Sequence, residues 1–184
     1  MKKKILIIVF ILLALLFVLS KFGFQIGNVT IGHKEDNLKV EQKTAIGDSD
    51  FGKTYLKDEK IICINLWATW CVPCVEEMPM LNKIKEKYQS ENIEFLSMSI
   101  DTDSIKLKKF INSNKFKFKD ITIQNLEYKN AILNYLENKP LEENISSQSI
   151  PKTYLIKNNK VVFKIDGEAD EKELIKEINK ILGH

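Results

Sequence analysis

Apolar and polar residues alternate along this chain in blocks that predict a regular order of strands and helices. Two nearly continuous apolar runs, 61–67 and 93–100, have the length and composition of strands buried on both faces. Apolar residues at helical spacing follow each run, and two further helices and a hairpin follow those. The order predicts an α/β sandwich with a mixed sheet. The remaining predicted elements are a strand at 116–123, a helix at 128–136, a hairpin at 153–165 and a final helix that begins at Asp170.

Three other segments are predicted from turn residues and from polarity. A Gly/Asp-rich stretch at 47–52 lies between two short apolar pieces, so a hairpin is predicted over 44–56. Pro79 falls inside the first long helix and should kink it. The polar segment 137–149 is longer than a usual connector, and we interpret it as a surface insertion, with a lid or a substrate-reading loop as the alternative.

The N-terminus predicts export. Met1 and three lysines precede fifteen apolar residues, 5–19, and no small-x-small cleavage site follows them. The positive-inside rule then leaves the N-terminus in the cytoplasm and the rest of the chain outside. We therefore expect a signal anchor over 1–26, a polar tether over 27–43 with at most one short strand, and a folded domain over 44–184. A cleaved signal peptide remains the alternative.

Composition adds few constraints to this picture. The net charge is +3, from 28 basic and 25 acidic residues that we take to be scattered along the chain. We see no basic block interleaved with aromatic residues, so nucleic acid is not an expected partner. Three cysteines are too few for a disulfide-stapled scaffold. We expect a monomer.

Cys71 and Cys74 are the candidate chemistry, because they stand three apart between the first buried strand and the first helix. At the start of a helix, free N–H groups and the helix dipole stabilise a thiolate. Cys71 is interpreted as the exposed nucleophile and Cys74 as the buried resolving thiol. A zinc site would need two more ligands, and the chain offers only Cys63, His33 and His184. A structural disulfide is disfavoured, since so small a loop constrains the unfolded chain little.

The sequence around these cysteines resembles a known family. WATWCVPC at 67–74, EEMP at 76–79 and SIPKTY at 149–154 are similar to the thioredoxin superfamily, and within it to TlpA/ResA-like membrane-anchored thiol-disulfide oxidoreductases. The resemblance covers roughly residues 44–184. It implies a thioredoxin-like sandwich with a central mixed sheet flanked by helices, an N-terminal hairpin extension and a central insertion.

The resemblance also implies roles for individual residues. Glu77 takes the place of an acid that lies near the cysteine pair, with a plain surface carboxylate as the alternative. Asn65 stands where thioredoxins have a buried aspartate. Trp70 is expected to cover the disulfide and to meet the partner. Ile150 and Pro151 match the cis-proline segment, which binds an extended substrate.

The function that follows is disulfide exchange through the Cys71–Cys74 pair, with no other cofactor and no metal. The uncharged Val72-Pro73 and the nearby Glu77 favour a reductase. The family implies exported protein disulfides as substrates, among them those of apocytochrome c, and a membrane thiol carrier as electron donor. Two alternatives remain, a thiol peroxidase and a non-catalytic exported binding or chaperone module. Cys63 is interpreted as a small buried core residue.

Overall fold

The computed structural model describes residues 24–26, 29–31, 41–57, 60–113, 115–143 and 148–184. The chain divides into two compact units, Met1–Asp36 and Asn37–His184. In the first, strands β1 (Phe24–Ile26) and β2 (Val29–Ile31) pair antiparallel. Most of the predicted signal anchor lies outside the described residues. Among the residues that are described, no helix is long and apolar enough to span a bilayer.

The second unit is built on a five-stranded mixed sheet. Its strands are β3 (Ile61–Trp67), β4 (Ile93–Ser99), β5 (Lys119–Asp120), β6 (Lys152–Lys157) and β7 (Lys160–Asp166). The strand order is β5-β4-β3-β6-β7. Strand β3 pairs in parallel with β4 and antiparallel with β6. Strand β5 adds to β4 in parallel, and β7 adds to β6 as the hairpin that the sequence predicts.

Helices cover both faces of this sheet, because β3 and β6 are apolar on each side. The helices are α1 (Asp50–Tyr55), α2 (Val72–Lys87), α3 (Ser104–Asn112), α4 (Lys129–Leu136) and α5 (Glu171–Leu182), with 3-10 helices at Ile46–Asp48 and Ile123–Tyr128. One face of the sheet packs against α1 and α4 through Phe51, Tyr55 and Ile132, and the other packs against α2 and α5 through Leu81 and Leu174. The predicted fold class is confirmed.

The hairpin predicted over 44–56 is wrong. The segment forms a 3-10 helix followed by α1, which Ser49 caps by accepting a hydrogen bond from the Gly52 N–H. Gly52 serves a close approach of two backbones, since a Cβ there would lie 2.1 Å from the Ile46 carbonyl oxygen. Serine and glycine, which are also common in turns, are here the cap of a helix and the residue at a close backbone contact, and the sequence pattern does not separate the two cases.

The strand predicted over 116–123 is also too long, because only Lys119 and Asp120 pair with β4. The Asp120 carboxylate accepts hydrogen bonds from the N–H and the hydroxyl of Thr122. Those bonds turn the chain out of the sheet and into the second 3-10 helix. The other predicted helices and strands are present. Pro79 lies inside α2, which continues to Lys87.

Candidate active site

The two cysteines follow the C-terminal end of the central strand β3, at the point where α2 begins. Cys71 is the N-cap residue of α2, and its sulfur accepts a hydrogen bond from the Cys74 N–H at 3.3 Å. Pro73 occupies the first turn, where a missing N–H costs no intrahelical bond. Cys71 and Cys74 form a disulfide with their Cα atoms 5.3 Å apart. This is the local geometry that the sequence predicts for a redox pair.

The expectation of an exposed Cys71 is wrong for this disulfide form. Cys71 is 5% exposed and Cys74 is fully buried. Both pack in a cluster with Trp67, Ala68 and Leu107. Cys71 is still the more accessible of the two cysteines.

Trp70 directly precedes Cys71, and Ile150 directly precedes Pro151. Trp70 is 59% exposed, an unusual position for so large an apolar side chain. Ile150 packs against the cluster that contains the disulfide, and the Ile150–Pro151 peptide bond is cis. The cis-proline segment lies next to β3, the strand that leads to the cysteines. Asn65 Nδ2 of β3 donates a hydrogen bond at 3.4 Å to the carbonyl of Lys152, a residue 87 positions later in the chain.

Glu77 lies inside the protein one helical turn after Cys74, and it is 2% exposed. Its Oε1 accepts a hydrogen bond from Asn65 Nδ2 at 2.9 Å, and its Oε2 accepts one from the Ala169 N–H at 2.9 Å. Burial raises the pKa of the Glu77 carboxyl, and these two hydrogen bonds oppose part of that rise. The alternative of a surface carboxylate is therefore wrong for Glu77, whereas Glu76 is exposed as expected.

Asn65 connects Glu77 to the strand that follows the cis-proline. Its amide nitrogen also donates to the Thr153 hydroxyl at 3.1 Å, and the asparagine itself is fully buried. Glu77, in turn, holds the segment between β7 and α5 through Ala169, and Gly167 in that segment donates its N–H to the Pro151 carbonyl at 3.0 Å. Glu77 and Pro151 thus both accept hydrogen bonds from the short segment between β7 and α5.

Asp101 is a site residue that the sequence analysis missed. Its carboxylate accepts hydrogen bonds from the N–H and the hydroxyl of Thr69, at 2.8 and 2.7 Å, and from the Ser99 hydroxyl at 2.6 Å. Asp101 is 2% exposed, and it fixes the turn that presents Trp70 and Cys71. The sequence showed only an aspartate near a helix start, and that helix is capped by Asp103 instead.

Lys152, directly after the cis-proline, is a second missed residue. Its ammonium group is buried between Glu137 at 2.5 Å and Asp166 at 3.2 Å. Glu137 also accepts a hydrogen bond from the Tyr154 hydroxyl at 2.6 Å. Burial alone would raise the pKa of the Glu137 carboxyl, but its bonds to Lys152 and Tyr154 hold that pKa below the ordinary value. This network anchors the start of the 137–149 loop to β6.

Cys63 takes no part in the redox pair. It is fully buried in the apolar layer beneath α2 and α5, as predicted for a small core residue. Burial, together with the charge of Glu77, raises the pKa of its thiol. Across the described part of the chain, no three His, Cys, Asp or Glu side chains are grouped in a way that could hold a metal ion.

Comparison with known proteins agrees with this geometry. Residues 42–182 match the Redoxin family model. The chain is 30% identical over 179 residues to the thiol-disulfide oxidoreductase ResA of a strain of Bacillus cereus, covering 95% of this chain and 96% of the relative. It is 29% identical over 154 residues to ResA of Bacillus thuringiensis subsp. konkukian, covering 80% and 82% of the two chains.

A solved structure supports the fold. The putative thiol:disulfide interchange protein DsbE of Chlorobium tepidum superimposes with a TM-score of 0.54 and 21% identity, covering 68% of this chain and 82% of that one. The chain therefore belongs to the Redoxin family, as a ResA-like thiol-disulfide oxidoreductase with a thioredoxin fold.

Proposed function

We propose that this oxidoreductase works as a reductase of disulfides in exported proteins. The observation that carries the proposal is the burial of Glu77 one turn after Cys74, together with the uncharged Val72-Pro73 between the cysteines. Strongly oxidising members of this fold stabilise the nucleophile's thiolate, which stabilises their reduced form. A buried carboxylate nearby does the opposite, so the reduced pair gives up its electrons more readily.

The reaction begins with the reduced pair. The Cys71 thiolate attacks one sulfur of a substrate disulfide, the substrate S–S bond breaks, and the departing substrate thiolate takes up a proton. The Cys74 thiolate then attacks Cys71 Sγ, forms the intramolecular disulfide and releases the second substrate thiolate, which is also protonated. Two electrons and two protons have passed to the substrate. Glu77 is the proposed acceptor of the Cys74 thiol proton, since its raised pKa lets it hold one.

Substrate binding is assigned to Trp70, Ile150 and Pro151. The exposed indole of Trp70, the residue before Cys71, offers an apolar contact to the substrate. The backbone of Ile150 is proposed to pair with an extended substrate segment as an added strand. Substrate would thus meet Cys71 between these two surfaces. The disulfide itself is the proposed redox group, with no further cofactor.

The proposed location is the outer side of the cytoplasmic membrane of a bacterial cell, with 1–26 as an uncleaved anchor and the domain acting as a monomer. The lysine triplet and apolar run at the N-terminus support it. The electron donor would be a membrane thiol carrier. Apocytochrome c, which presents a pair of haem-attachment cysteines, is the proposed substrate, and cytochrome c biogenesis the proposed process. Nucleic acid is not a proposed partner.

The test is the reduction potential of the Cys71–Cys74 couple, measured by equilibrating the full chain with thiol buffers of known potential. We expect a value nearer to that of thioredoxin, about −270 mV, than to that of the oxidant DsbA, about −120 mV. A value near −120 mV would contradict reduction as the net direction. A second assay compares the turnover of an oxidised protein with the turnover of hydrogen peroxide. Faster turnover of peroxide would indicate a peroxidase. The absence of turnover with both would indicate a non-catalytic binding module.

A further inference from the structure

The chain contains one basic block interleaved with aromatic residues, contrary to the evenly scattered distribution assumed from composition. Residues 104–119 carry six lysines and no acidic residue, interleaved with three phenylalanines. The lysine triplet at the N-terminus accounts for a further +3, so the remainder of the chain is acidic. The net charge of +3 conceals this separation.

Three adjoining segments form the patch. Helix α3 and the segment 115–119 lie side by side over Trp67, whose ring is 4.9 Å from Phe110 and 6.2 Å from Phe116. The end of α2 joins them through Asn82, which bonds the backbone of Lys115 and Lys117 at 2.9 and 2.8 Å. We call the exposed lysines of these segments the lysine face: Lys83, Lys87, Lys106, Lys108, Lys109, Lys115, Lys117 and Lys119.

Few of these charges are neutralised locally. Lys117 pairs with Glu86, and Lys119 and Lys87 lie over the rings of Tyr55 and Tyr88 at 5.3 and 5.5 Å. Within the described ranges, the three lysines of α3 form no ion pair with a neighbouring carboxylate. Ile105, at the start of α3 among them, is 63% exposed. The lysine face therefore combines unpaired positive charge with an exposed apolar side chain.

We propose that the lysine face binds the anionic phospholipid headgroups of a membrane surface. The ammonium groups of the lysine face are mobile and strongly hydrated, which suits a diffuse anionic surface. Ile105 can enter the interfacial layer between headgroups, as apolar residues of interfacial helices do.

Two other roles, protection of a sheet edge and binding of nucleic acid, explain fewer features of the lysine face than membrane binding does. Lysines on an edge strand prevent edge-to-edge pairing, which suits Lys119 in β5 and Lys117 just before it, but α3 is no sheet edge. Single-stranded nucleic acid would need aromatic rings free for base stacking. Phe116 and Phe118 stack on each other with ring centroids 4.6 Å apart, and Phe118 is 4% exposed. Their rings are engaged in packing.

The test adds the full chain to preformed vesicles and measures the acylation of each lysine by a membrane-impermeant reagent. Phosphatidylglycerol-containing vesicles are compared with vesicles of phosphatidylcholine alone. We expect labelling of Lys106, Lys108, Lys109 and Lys115 to be slowed about fivefold or more by the anionic vesicles. The exposed lysines of α5, Lys172 and Lys176, should label equally in both. The protection should disappear at about 1 M salt, where the Debye length is about 3 Å.

Two variants with the same change of charge sharpen the result. Lys106→Gln/Lys108→Gln/Lys109→Gln should abolish the protection of Lys115, and Lys172→Gln/Lys176→Gln/Lys180→Gln should leave it intact. Equal labelling in both vesicle types, or protection of α5 as strong as that of α3, would overturn the proposal. The proposal would also be overturned if polyglutamate protected these lysines from acylation and anionic vesicles did not, because that result would indicate an acidic protein partner. Alkaline carbonate extraction tests the proposed anchor separately, because an inserted segment resists it and headgroup binding does not.

Discussion

Asn65 Nδ2 donates a hydrogen bond to Glu77 Oε1 at 2.9 Å, in a layer of the protein where both residues are almost completely buried. The contact joins the strand that leads into the cysteine pair to the helix that leads out of it. Because Asn65 does not titrate, Glu77 is the titratable member of this contact, and it lies one helical turn after Cys74. The chemistry of the pair should therefore depend on the protonation of Glu77.

Replacing Glu77 with Gln should lower the pKa of the Cys71 thiol. The carboxylate opposes formation of a thiolate nearby, and its burial limits screening by water. Alkylation of Cys71 in the reduced protein, followed as a function of pH at low salt, measures the effect. The exposed neighbour provides a matched control, since Glu76→Gln removes the same charge from the surface. Superimposable curves for all three proteins would contradict a role for Glu77 in thiol titration.

Glu77 should also make stability depend on pH. Its pKa is raised in the folded state, so the folded protein binds the proton more tightly than the unfolded chain does. The free energy of unfolding of the wild type should therefore fall, relative to Glu77→Gln, as the pH rises from the ordinary carboxyl value through the folded-state value. Urea unfolding of the two oxidised proteins across this window tests the sign. A difference that does not change with pH would contradict it.

Thr69→Val should slow disulfide reduction by about tenfold. It removes the hydroxyl that donates to Asp101 and leaves a buried carboxylate oxygen without that donor, at a cost of about 1–3 kcal/mol. The turn that holds Trp70 and Cys71 then loses one of its two bonds to Asp101. Thr69→Ser keeps the hydroxyl and should retain activity. If Thr69→Val is as active as Thr69→Ser, the bond to Asp101 does not position the nucleophile.

Lys152→Met should reduce the free energy of unfolding by about 3 kcal/mol, because it leaves the largely buried Glu137 carboxylate without its closest cation. Lys164, 3.3 Å from the other oxygen, compensates in part. Lys139→Met breaks only an exposed pair with Glu143 and should cost less than about 1 kcal/mol. The Glu137 pKa is depressed, so the stabilisation should be lost as the pH falls through its folded-state value. Equal unfolding midpoints in urea for the two variants would refute the difference.

The parts of the fold that the sequence predicted are those determined by local pattern. Residues 61–74 contain a continuous apolar strand, an N-cap cysteine and a first-turn proline. Each of these features determines the backbone conformation of the residues next to it in the sequence. The helix over 50–55 was missed because Ser49 and Gly52 belong equally to turns and to a capped, closely packed helix. Nothing local distinguishes the two.

The supports of the active site could not be predicted for a different reason. Asp101 contacts a residue 32 positions earlier in the chain, and Glu77 contacts one 92 positions later. Only the folded sheet brings these groups together. Glu77 itself was found through resemblance to a family, and its burial and its bond to Ala169 became visible only in the structure.

The most direct test of the account is to trap a substrate on single-cysteine variants. Reduced Cys74→Ser should capture an oxidised protein substrate as a mixed disulfide through Cys71, identified by mass spectrometry of the linked peptides. Cys71→Ser should capture none, since Cys74 is fully buried and Cys71 is the residue that an incoming sulfur can reach. Capture by Cys71→Ser to the same extent, through Cys74, would contradict the assignment of nucleophile and resolving thiol.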